Sequence, residues 1–206
     1  MKRTTVFLVD DHAIMRMGLA SLLKTCPEVE VLGDGGDEPE TIDRILSLRP
    51  DIVIMDLVMP RLDGAEATRR LLASAPDVRV LILTTFGTSD GIARALNAGA
   101  LGAVLKNADL SELLKAIRTV ADGRRFLSAE VEQIMTAEPP LPELSERQLE
   151  VLAALARGLP NADVARLLGI SLPMVKEHVN AILTKLNVAN RTEAVALALR
   201  KQLLRA

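Results

Sequence analysis

The first 122 residues alternate between short apolar runs and longer stretches whose apolar positions recur every three or four residues. The runs predict strands near 4–9, 29–34, 51–55, 78–84 and 102–105; the periodic stretches predict helices near 13–25, 38–48, 64–75, 88–98 and 109–122. Runs this continuous belong to strands buried on both faces, as in a doubly wound α/β domain with a parallel sheet between helical layers. Local signals agree. Pro50 and Pro76 stand just before strands, where helices stop, and Asp109 with Glu112 forms a capping-box pattern opening the fifth helix. Gly123 suits the residue just past its end.

The pattern changes after residue 122. Glu138-Pro139-Pro140-Leu141-Pro142 cannot continue a helix, so a joint is expected over 123–140, with a short helix near 128–135 before the prolines. Residues 141–206 read as a smaller all-α module of four helices. Ser145 and Gln148 make a capping box before Leu149, Val151, Leu152 and Leu155, and Gly158 ends that helix. Asn161 is expected to cap a short helix over 162–168. Gly169-Ile170-Ser171 forms a turn, and Ser171 opens a longer helix to about Leu186. Asn190 with Glu193 opens the last helix, 191–203.

Composition narrows the classes. The chain has 206 residues, 49% hydrophobic, with no Trp or Tyr and three Phe, so its cores are aliphatic. Cys26 is alone, which excludes an intramolecular disulfide. The apolar run after Met1-Lys2-Arg3 is too short for a secretory signal, and no stretch reaches the roughly 20 apolar residues of a membrane span. A cytoplasmic protein without a membrane partner is expected. Residues 1–120 carry 14 basic against 17 acidic side chains, whereas residues 141–206 carry 9 against 6. A basic module attached to an acidic one suggests that the C-terminal part meets a polyanion.

The strand ends carry the chemistry. The runs lead into Asp10-Asp11, Asp56, Thr84 and Lys106, and the carboxyl ends of parallel strands converge where such sheets bind ligands. Three carboxylates, a hydroxyl and an ammonium meeting there suit Mg²⁺ and a phosphoryl group. A carboxylate can take the phosphoryl group as an acyl phosphate.

This ordered set, with Met59-Pro60-Arg61-Leu62-Asp63-Gly64 after Asp56, resembles the receiver domain of bacterial two-component response regulators across residues 4–122. The resemblance implies a flavodoxin-like (βα)5 fold with Asp56 as phosphoacceptor. It implies Mg²⁺ held by Asp10, Asp11, Asp56 and the Val58 carbonyl, with Thr84 and Lys106 closing on the phosphoryl group. One departure stands out. Receivers usually carry an aromatic three residues before the lysine, where this chain has Ala103, so transmission is expected through backbone and helix shifts or through Phe86.

Residues 144–200 are similar to the LuxR-type helix-turn-helix of the NarL/FixJ class. The likeness rests on Leu144-Ser145, Val151-Leu152, Asn161, Asp163-Val164-Ala165, Leu168-Gly169-Ile170-Ser171, Val175-Lys176, His178-Val179, Ile182, Lys185-Leu186 and Asn190-Arg191-Thr192. It implies a helix-turn-helix at about 161–180, with the helix over 172–186 in the major groove of duplex DNA. Val175, Val179, Ile182 and Leu186 read as its core stripe, and Lys176, Glu177 and Asn180 as base or phosphate contacts. His178 reads equally as a phosphate contact or as packing. Lys185, Arg191 and Thr192 stand where the family contacts phosphates. Together the resemblances imply a non-enzymatic transcription regulator switched by a sensor histidine kinase and dimeric when phosphorylated, with Val195 and Leu199 at the dimer surface.

Overall fold

The computed structural model describes residues 3–85, 88–201, 203 and 204; Phe86 lies outside them. The chain forms two compact units, Met1–Pro139 and Pro140–Ala206.

The first unit runs β1 (Thr4–Val9), α1 (Ala13–Lys24), β2 (Val29–Gly35), α2 (Pro39–Leu48), β3 (Ile52–Met55), α3 (Gly64–Ser74), β4 (Arg79–Thr84), α4 (Ser89–Asn97), β5 (Gly102–Leu105), α5 (Leu110–Ala121), β6 (Phe126–Leu127) and α6 (Ala129–Ala137). All strands pair in parallel, in the order β2-β1-β3-β4-β5-β6. Strand side chains alternate between faces, so each run feeds two cores. Phe7, Val9, Val53, Met55, Val80 and Ile82 join Ile45, Leu71 and Ile92 of α2, α3 and α4. Val6, Leu8, Ile52, Ile54, Leu81, Leu83 and Val104 join Leu23 of α1 and Ile117 of α5.

The helix ends follow their signals. Asp63 accepts from the Glu66 N–H, Thr88 from Gly91 and Asp109 from Glu112. Gly123 takes φ +75 just past α5, a left-handed position that favours glycine.

The stretch expected as a joint differs from expectation. Besides the short helix, now α6, it holds a sixth strand. Phe126 and Leu127 pair with Gly102 and Ala103, and the Ser128 N–H donates to the Ala103 carbonyl at 3.1 Å. Gly102 permits this approach, since a Cβ there would stand 2.7 Å from the Phe126 carbonyl oxygen. Val131 of α6 is fully buried in the same cluster as Ala103. The compact first unit therefore continues to Pro139. The break comes at the prolines, which have no N–H to offer a strand or helix.

The second unit is α7 (Glu146–Ala156), α8 (Asn161–Leu168), α9 (Leu172–Leu186) and α10 (Arg191–Arg200) around its own core of Val151, Leu152, Leu155, Val164, Val175, Ile182 and Leu186. Ser145 and Gln148 form the expected capping box. Asn161 is not the cap of α8: it is the first helical residue, Pro160 holds the cap position, and no side chain caps that end. The Pro160 ring presets an extended φ (−63°) and Asn161 needs no cap, because the Pro160 carbonyl already accepts from Asp163 and Val164.

Candidate functional site

The carboxyl ends of β1, β3, β4 and β5 bring the expected groups together. Asp10 and Asp11 follow β1, Asp56 follows β3, Thr84 ends β4 and Lys106 follows β5. One ligand atom from each of Asp10, Asp11, His12 and Asp56 lies within 4.8 Å of the others. The Lys106 ammonium sits 2.5 Å from Asp10 Oδ2 and 2.9 Å from Asp56 Oδ2. The Leu57 N–H donates to Asp56 Oδ1 at 2.7 Å, leaving the carboxylate fixed and 4% exposed. Gly64 lets α3 start against this backbone; a Cβ there would stand 2.2 Å from the Asp56 carbonyl oxygen.

The charges do not balance. Burial pushes the Asp56 carboxyl above the ordinary carboxylate range, and its bond to Lys106 offsets only part of this. Burial pulls the Lys106 ammonium down, but its bonds to Asp10 and Asp56 outweigh that and leave it raised. One ammonium is shared by two carboxylates, so the deficit of positive charge falls on Asp56. Thr84 Oγ1 is buried and has no hydrogen-bond partner among the described residues, a cost a bound acceptor would remove. Three carboxylates against one ammonium, with an unpartnered hydroxyl, fit a hard divalent cation and an anionic group.

Val58 lies in the β3–α3 loop with its side chain half exposed. Three features of this region were not read from the sequence. His12 Nδ1 stands 2.8 Å from Asp11 Oδ1. Arg16, one helical turn on, donates to the Asp10 carbonyl at 2.5 Å and to Asp34 at 2.9 Å. Asp37, after β2, holds Arg61 of the β3–α3 loop. Adjacency to the aspartates was a signal for His12. Nothing local marks Asp37, whose partner is 24 residues away.

In the second unit, Lys176, Glu177 and Asn180 lie on the exposed face of α9, opposite Val175, Ile182 and Leu186. Thr184 continues that exposed stripe and was missed, although its helical spacing from Asn180 marks it. His178 is half-buried and Thr192 exposed. Lys185 and Arg191 are already engaged within the unit. The Lys185 ammonium donates to the Glu143 carbonyl at 2.8 Å and to Gln148 Oε1 at 3.0 Å, tying α9 to the α7 capping box. Arg191 donates to the Leu159 carbonyl at 2.8 Å. Lys185 thus ties α9 to the start of α7, and Arg191 ties α10 to the loop between α7 and α8.

Family models match both units: the response regulator receiver domain over residues 6–118 and the luxR family of bacterial regulatory proteins over 142–198. The chain belongs to the LuxR-type two-component response regulators. This response regulator is 36% identical to the transcriptional regulatory protein LiaR of Bacillus subtilis, over 96% of the chain and 98% of the relative. It is 36% identical to the response regulator VraR of Staphylococcus aureus, over 97% and 98%. The crystal structure of the response regulator ChrA, from a heme-sensing two-component system, matches with 38% identity and a TM-score of 0.59, covering 99% of this chain and all of that one. Among the described residues no helix is long and apolar enough to cross a membrane.

Proposed function

We propose that this response regulator takes a phosphoryl group on Asp56 from a sensor histidine kinase and then, as a dimer, binds promoter DNA through α9 in the cytoplasm. In this reading residues 1–122 form the receiver domain, with β6 and α6 as its extension, and 141–206 the DNA-binding domain. The observation that carries it is the buried Asp56 carboxylate, flanked by Asp10, Asp11 and Lys106, with the Thr84 hydroxyl, buried and unpartnered among the described residues, at the end of the neighbouring strand. Asp10, Asp11, Asp56 and the Val58 carbonyl would hold Mg²⁺, which supplies screening of the anionic phosphoryl group.

The chain's own groups do the rest. An Asp56 oxygen bonds to phosphorus as the phosphorus–nitrogen bond of the donor's phosphohistidine breaks. The electron pair returns to the imidazole nitrogen, which takes up a proton. Lys106 moves from pairing carboxylates to pairing a phosphoryl oxygen, and Thr84 donates its hydroxyl to another. The added charge and acceptor oxygens bias a two-state receiver. In the DNA-binding domain, Lys176, Glu177 and Asn180 read base edges, with His178 and Thr192 on phosphates. Lys185 and Arg191 shape the surface that does so.

The test uses acetyl phosphate with Mg²⁺. The chain acquires a hydroxylamine-labile phosphoryl group and its promoter affinity rises. Asp56→Asn removes the label and the rise together. Labelling that survives Asp56→Asn, or DNA binding indifferent to the label, defeats the reading.

A further inference from the structure

The loop between β3 and α3 follows Asp56 and carries Val58, whose carbonyl the proposed function places at the cation. Met59 is buried in the core and the Gly64 N–H closes onto the Leu57 carbonyl at 2.9 Å. Val58 is 53% exposed between the buried Leu57 and Met59, so its own side chain does not orient that peptide. Between Met59 and α3, Leu62 packs against the core and Asp63 pairs with Arg94 at 3.2 Å, while Asp37 holds the Arg61 backbone from outside. One Asp37 oxygen accepts the Arg61 backbone N–H at 2.7 Å. The other accepts from the Arg61 guanidinium at 2.8 and 3.1 Å. The carboxylate is 6% exposed, whereas the Arg61 side chain is mostly in solvent. A surface guanidinium contributes little to rigidity, but a buried acceptor on a loop N–H fixes the backbone.

We infer that Asp37 is a positioning residue for the cation site: through the Arg61 N–H it holds the loop so that the Val58 carbonyl faces the aspartates. This rests on the proposed phosphoryl site. Groups outside a ligand shell that orient its members typically change metal affinity 10–100-fold when removed.

The experiment is Mg²⁺ titration calorimetry on the full chain, which reads binding without any phosphoryl transfer. Asp37→Ala should weaken Mg²⁺ about tenfold. Asp37→Leu, which fills the site without offering an acceptor to the N–H, should do the same. Asp37→Asn keeps an acceptor for the N–H and should stay within about twofold of the parent, as should Arg61→Ala, which keeps the N–H itself. Asp11→Asn serves as the control. If Asp11→Asn abolishes binding and Asp37→Leu leaves it unchanged, the positioning role is wrong and the site stands. If Arg61→Ala costs as much as Asp37→Leu, the guanidinium pair acts and the backbone anchor does not. If Asp11→Asn has no effect, the site reading fails and the inference with it.

Discussion

At the scale of single residues, Asp37 and Asp56 show how one sheet edge treats two buried carboxylates oppositely. The Arg61 hydrogen bond holds the Asp37 carboxyl below its ordinary range. Folding therefore favours its ionised form. The stabilisation is fully present above the unfolded value, about 3.9, and is lost as pH falls through the lower folded value. Asp56 is raised by burial, so its contribution has the reverse sign and weakens as pH rises. The Asp37 pair predicts that Arg61→Ala is slightly less stable than the parent at pH 6, the effect being small because the guanidinium is exposed. Urea unfolding should show that gap closing as pH falls below about 3.9. A gap that stays constant or widens on acidification would mean that another interaction of Arg61 sets it.

At the scale of elements, α6 explains how the sheet accommodates Ala103. Receivers of the resembling family usually place an aromatic there, and in this chain the position is completely buried beside Val131. Ser128 caps α6 and donates its N–H to the Ala103 carbonyl, so strand and helix meet at one residue. Ala103→Phe would overpack that contact and cost about 1–3 kcal/mol. Hydrogen exchange over 129–137 should speed up, and adding Val131→Ala should recover part of the loss, since both positions lie in one buried cluster where α6 meets β5. A phenylalanine accepted without loss of protection would place α6 off this cluster. The five longer strands and the ten helices were legible because most are strongly periodic and many of their ends carry Asp, Ser, Gly or Pro in capping positions. β6 was not legible: two residues, Phe126 and Leu127, show no period, and their partner strand lies 24 residues earlier. The pocket was legible for the same reason as the sheet, since each group ends a strand. The staples of Asp37 to Arg61 and Lys185 to Gln148 were not, because they depend on which loops and helices meet in space.

At the scale of the molecule, the two units carry separate cores, and this decides which pieces fold alone. Residues 140–206 bury Val151, Leu152, Val164, Val175, Ile182, Ala194 and Ala198 almost completely, and among the described residues that cluster draws on this unit alone. Ser145, Ser171 and Asn190 cap three of the four helices with their own side chains, each worth about 1 kcal/mol. Lys185 and Arg191 add internal cross-links. A core of this size supplies no more than about 3–5 kcal/mol. The fragment 140–206 should therefore fold by itself into a helical domain with a cooperative urea transition of that size. Lys185→Met, which leaves the Glu143 carbonyl and Gln148 without their donor, should take about 1–3 kcal/mol from it. Circular dichroism checks both expectations. A fragment that is unfolded in buffer at 25 °C would show that the caps and cross-links do not suffice and that this unit draws stability from the rest of the chain.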